Sequence, residues 1–101
     1  MKSIMQDDWE TCYLCGRRAC ETHHVLGGTA NRKLSERFGL TVRLCPNCHR
    51  GTDGAQYNRD LNFRLKAEAQ MTFEVLYGHE KWMSVFRRNY ITEEVEGYDT
   101  V

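Results

Sequence analysis

Four of the five cysteines come as two Cys-x-x-Cys pairs, Cys12 with Cys15 and Cys45 with Cys48, and the doublet His23-His24 stands between them. Two intervening residues let both sulfurs of a pair point inward from one tight turn, and two such pairs complete a tetrahedron of thiolates around zinc. Gly16, directly after the first pair, gives the chain freedom to leave such a turn. Dithiol redox chemistry is the competing use of the same spacing. The doublet has three readings: two partly exposed strand residues without chemistry, two ligands for one ion, or a ligand beside a general base. Imidazole suits either active role, since it titrates near neutral pH and binds divalent metals. His49 follows the fourth paired cysteine directly, whereas His79 stands after Gly78 at a helix start, far from these groups, and reads as structural.

The elements that must position these side chains can be read from the pattern. Arg18 to Val25 and Leu40 to Leu44 are long enough for two antiparallel strands. Between them lies the helix-like "TANRKLSERFG", with Thr29 as cap and Gly39 as stop. Pro46 suits the first turn of a short helix that loses regularity near Gly51 and Gly54. From Asn58 to Tyr77, the recurrence of Leu61, Leu65, Ala69, Phe73 and Leu76 predicts a long helix ended by Gly78. A further helix is expected over about 79–90, with Trp82, Val85, Phe86 and Tyr90 on one side. These stripes read as core. Residues 1 to 11 look like a poorly anchored lead-in from which Ile4, Met5 and Trp9 could pack on the domain. The last residues, "EEVEGYDTV", look frayed.

A chain of 101 residues has room for one domain with a thin apolar core, so a metal staple is expected to matter. The expected division is a core over 12–54, a helical extension over 57–90 and an acidic tail over 91–101. Cys20, the unpaired thiol, is expected as a packed residue of the first strand. The start of the sequence has no apolar signal segment, and no stretch is long enough to span a bilayer, which points to a reducing cytoplasm with thiols available for metal. The formal net charge is zero, but it is unevenly distributed. From Cys12 to Arg50, seven basic residues face only Glu21 and Glu36; beyond Asn89 there are four acidic residues and no basic one. That asymmetry is compatible with a phosphate-facing half and a solvated tail, or with two ordinary charged faces.

Taken in order and spacing, "CYLCG", "ETHHV" and "LCPNCHR" resemble the HNH endonucleases of the ββα-metal, or His-Me finger, class, with the small proteins of phages and prophages nearest in character. The resemblance covers roughly residues 12–50. It implies a small α+β fold, with a treble-clef, zinc-stapled ββα-metal core followed by two C-terminal helices. It further implies a structural zinc on Cys12, Cys15, Cys45 and Cys48, and a separate catalytic divalent ion (Mg2+, Mn2+, Ni2+ or Zn2+) held by His23 and His49, with His24 as general base.

The chemistry asks for these types as well. Phosphodiester hydrolysis needs a water relieved of its proton near neutral pH, and positive charge on the phosphate and the leaving 3′ oxygen. A coordinated imidazole has no free lone pair, so base and ligand must be different residues. On a regular strand, however, consecutive side chains point to opposite faces, so the strand is expected to end or bulge at the doublet, with Gly27 and Gly28 as the exit. Arg32, Lys33, Arg37, Arg43 and Arg50 are the candidates for DNA phosphate contacts. Asp53, four residues after His49, is a weaker candidate ligand. One departure stands out: many members carry an Asn shortly before the second Cys pair, and "LTVRL" has none; neither Asn31 nor Asn47 is a secure replacement. DNA is the expected partner, with a homodimer or a phage-encoded protein as a further one. The alternative from another class is a noncatalytic zinc module that binds DNA or protein.

Overall fold

The computed structural model describes residues 2–19 and 21–91. The expectations for Cys20 and for the acidic tail beyond residue 91 lie outside the described residues. The chain runs β1 (Glu21–His24), α1 (Thr29–Phe38), β2 (Thr41–Leu44), α2 (Pro46–Arg50), α3 (Arg59–Tyr77) and α4 (His79–Phe86). Among the described residues it is a small α+β architecture, with one two-stranded antiparallel sheet and the four helices α1 to α4. No helix among the described residues is long and apolar enough to cross a membrane.

The sheet register pairs Glu21 with Leu44, Thr22 with Arg43, His23 with Val42 and His24 with Thr41. Because strand side chains alternate, Glu21, His23, Val42 and Leu44 share one face, and Thr22, His24, Thr41 and Arg43 share the other. The first face is covered, with Val42 and Leu44 completely buried. β1 is shorter than the run from Arg18 suggests, because Arg18 bridges to Thr11 and closes the loop carrying the first Cys pair.

α1 begins differently from expectation. Gly28 occupies the capping position with φ 90° and no side-chain cap, so Thr29 is the first helical residue rather than the cap. A positive φ of this kind favours glycine. The helix ends at Gly39, as its left-handed conformation allows. Buried Ser35 fastens α1 to the sheet: its hydroxyl accepts from the Leu26 amide and donates to the Leu26 carbonyl, each at 3.0 Å.

Pro46 opens α2 as the sequence indicates, and the Cys45 side chain accepts the Cys48 amide as a sulfur cap. In α3, capped by Asn58, the residues Leu65, Ala69 and Phe73 are buried, but Leu76 is exposed; Tyr77 continues the stripe instead, against Phe73 and Phe38. Phe73 is also packed edge-on to Trp82 and Phe86, which joins α3 to α4. α4 stops at Phe86 with Arg87 in the left-handed region, short of the expected Tyr90. The turn lets the Trp82 indole N–H reach the Arg88 carbonyl, and lets the buried Gln70 amide oxygen accept the Tyr90 N–H. Tyr90 is therefore buried without being a continuation of α4.

The lead-in is better anchored than its composition suggests. The Ile4 amide donates to the Gly39 carbonyl, and Gln6 accepts from the Arg43 amide, so this segment lies along β2.

Candidate functional site

The first Cys pair sits in a loop tightened by hydrogen bonds from the Cys12 amide to the Arg17 carbonyl and from the Gly16 amide to the Cys12 carbonyl. The Tyr13 amide donates to the Arg43 carbonyl, which brings this loop beside the end of β2. There it meets the second pair on the first turn of α2. The four sulfurs of Cys12, Cys15, Cys45 and Cys48 all lie within 4.8 Å of one another. Four thiols at this spacing, close-set but unbridged, fit a tetrahedral zinc. Their proton affinities show the crowding. Burial works to raise the Cys12 thiol, yet the surrounding backbone groups of Cys45, Cys15 and Leu14 outweigh it and bring it down to about 6. Burial, followed by the neighbouring sulfurs, pushes Cys48 far up. Four thiolates cannot coexist here without a cation to neutralise them. The cluster can hold a structural metal such as zinc.

The histidines are arranged less simply. β1 stays regular through His24 and ends there, so the doublet faces two ways. His23 lies on the covered face, 9% exposed, with its ring edge-on to that of His49 at a centroid separation of 5.2 Å. Its Nε2 is buried with no hydrogen-bond partner. Burial, then the charges of His49, His24 and Lys66, hold the His23 imidazole down to about 4, so it is neutral at pH 7.

His49 is fixed from behind: its Nδ1 lies 2.7 Å from Glu21 Oε1. A carboxylate only accepts, so Nδ1 carries the proton, and in the neutral ring the lone pair is on Nε2. Glu21 also receives Arg50 through two bonds, Nε to Oε1 at 3.0 Å and Nη2 to Oε2 at 2.6 Å. These partners, Arg50 first and then His49, hold the Glu21 carboxyl below its usual range.

His24, on the opposite face, is bonded through Nε2 to Glu36 Oε2 at 2.9 Å, which by the same reasoning leaves its Nδ1 as the acceptor. That bond holds Glu36 below the usual carboxylate range. His24 and His49 border a common open hollow of about 460 Å3 at the end of β1, together with Thr22, Gly27, Gly28 and Arg32. Thus His49 is the shared member: its ring meets His23 beneath the strand, and it lines one hollow with His24. The three rings do not gather in one open cleft, because strand alternation sends His23 under cover.

Of the five basic candidates, Arg32 borders the hollow, and Lys33 and Arg37 lie on the exposed side of α1, with Arg37 over the Phe38 ring. Arg50 is engaged with Glu21. Arg43 donates to the Trp9 carbonyl and the Thr22 hydroxyl, so it braces the second face of the sheet. Asp53 and Asn47 line a separate hollow beside Cys48 and do not join the histidines. His79 pairs with Glu74 at 2.7 Å, on the surface between α3 and α4. Sequence reasoning passed over Glu21 and Glu36, counting both only as charge. For Glu21 a signal existed: two residues before His23, it must share that residue's face. Glu36 gave none, because its contact depends on how α1 folds back onto β1.

No family model matches the chain, and neither a curated protein nor a solved structure matches it.

Proposed function

We propose that this chain is a metal-dependent endonuclease of the HNH type that hydrolyses DNA phosphodiester bonds, on a zinc-stapled treble-clef core. The observation that carries the reading is the pair His23 and His49: two imidazoles ring to ring, His23 neutral with a buried unpartnered Nε2, His49 with its Nδ1 tied to a carboxylate. A carboxylate behind a histidine fixes its tautomer and raises its basicity toward a metal, the usual support for a ligating imidazole. Among the described residues, the four cysteines form the only group of three or more potential metal ligands, so the two histidines would hold a divalent ion (Mg2+, Mn2+, Ni2+ or Zn2+) with water and phosphate completing its shell. When bound, that ion supplies Lewis-acid stabilisation of the phosphate and the leaving 3′ oxygen.

The chain's own residues do the rest. Glu36 accepts the His24 Nε2 proton and leaves Nδ1 free to take a proton from water. Arg32, on the rim of the same hollow, offers positive charge to a backbone phosphate. The expected products are a 5′ phosphate and a 3′ hydroxyl. A protein of this kind works in the reducing cytoplasm, where the four thiols keep their metal, and cutting both strands of a duplex calls for two copies or a partner protein.

The burial of His23 favours one other reading, a noncatalytic zinc module that binds DNA or protein and uses its histidines only structurally. Incubation of the purified protein with supercoiled plasmid and each divalent ion separates the two. The nuclease nicks or linearises the plasmid, and His24→Ala abolishes cutting while retaining zinc and the fold. Retention of DNA with no divalent-dependent cleavage establishes the module.

A further inference from the structure

Trp9 is one of the few large apolar side chains left exposed, at 36%. It stands on an anchored segment: its carbonyl accepts from Arg43 Nε at 3.1 Å, and the Arg43 guanidinium lies over its ring, 5.5 Å from the centroid. The same guanidinium donates to the Thr22 hydroxyl, so indole, cation and strand form one braced ledge. This ledge walls a hollow of about 290 Å3 whose other sides are Thr22, His24, Glu36 and Thr41. Thr22 and His24 also line the larger hollow bordered by Arg32 and His49. The two depressions therefore meet at His24.

Their chemistry differs. The larger one carries Arg32 and two imidazoles and suits an anion. The smaller one has an aromatic wall, two threonines and the Glu36 carboxylate, and Asp7 lies in a further hollow next to Trp9. Those carboxylates repel a phosphate. A neutral flat ring with hydrogen-bonding edges suits the space: it can stack on indole and meet the hydroxyls.

We propose that Trp9 is the stacking platform for an unpaired nucleobase adjacent to the scissile phosphate, so that the substrate is single-stranded or locally unpaired DNA. In an intact duplex the bases are stacked on one another and present only their edges. This inference rests on the DNA-cutting reading for its reaction but not for its binding step.

The test exploits the other tryptophan. Trp82 is completely buried, so a fluorescence change on ligand binding reports Trp9. The full-length zinc-loaded protein is titrated with a short oligothymidylate, with an abasic strand of equal length and charge, and with a blunt duplex. The ledge predicts quenching by oligothymidylate, and affinity for the abasic strand and the duplex weaker by about 5- to 150-fold, the worth of one stacked base. By calorimetric titration, which does not need the Trp9 fluorophore, Trp9→Phe keeps most of this discrimination and Trp9→Ala loses it. Equal affinity of the wild-type protein for the base-bearing and abasic strands overturns the inference, whatever the variants do. If base-dependent binding is found but no divalent ion supports cutting, the nuclease reading falls and the platform stands; cutting without base-dependent binding gives the reverse.

Discussion

The four cysteines and the three histidines occupy adjoining ends of one small sheet, yet they are built on opposite logics. Each Cys pair is a local turn, so its two sulfurs converge whatever the rest of the chain does, and the fold has only to bring two turns together. The histidines come from consecutive strand positions and from α2, and strand alternation divides the doublet between a covered and an open face. Convergent donors mark a centre whose work is cohesion; divided donors, with carboxylates behind His24 and His49 and none behind His23, mark side chains with separate tasks.

The sharpest way to break the comparison is at the sulfurs. Cys12→Ser leaves three good ligands and is expected to lose the stoichiometric zinc and most of the folding free energy that zinc supplies, about 10 kcal/mol for structural sites; metal analysis with a far-ultraviolet circular dichroism melt reads both. The histidine side should respond in function rather than fold. Glu21→Ala removes the support of His49 and is expected to weaken binding of the second divalent ion by about 10- to 100-fold, measured by calorimetry on zinc-loaded protein. Its exposed partner Arg50 leaves little structural cost. Between the two regions, Ser35→Ala strips the buried Leu26 amide of its acceptor. It should destabilise the chain by about 1–3 kcal/mol in urea denaturation, with the zinc content unchanged.

The same contrast explains what could be read from the sequence. Chelating pairs and the stripe of Leu65, Ala69 and Phe73 depend on neighbours within a turn or two, and both were legible. So was the conflict at His23-His24, since period-two alternation is a property of any strand; β1 stays regular through His24, and the two side chains part to opposite faces. Contacts over long separations were not legible. Glu36 reaches His24 across twelve residues, beside the Ser35 hydroxyl that ties α1 to Leu26. Arg50 spans α2 to β1 to hold Glu21, and Arg43 holds Trp9, so two residues expected on DNA also brace the fold. Beyond the early stop of α4, Gln70 engages the side-chain oxygen of Asn89 and the backbone N–H of Tyr90, nineteen and twenty residues further on. The anchoring of residues 2–11 depends on edge contacts with β2 that no local pattern announces.

The central claim is that His23 and His49 hold a second ion independently of the sulfur cluster. Calorimetric titration of the zinc-loaded chain with Ni2+ or Mn2+, for wild type and His49→Ala, tests it most directly. The account predicts one additional ion per chain in the wild type and none in the variant, with one zinc retained in both. A second ion bound equally by His49→Ala, or no second ion in the wild type, contradicts it.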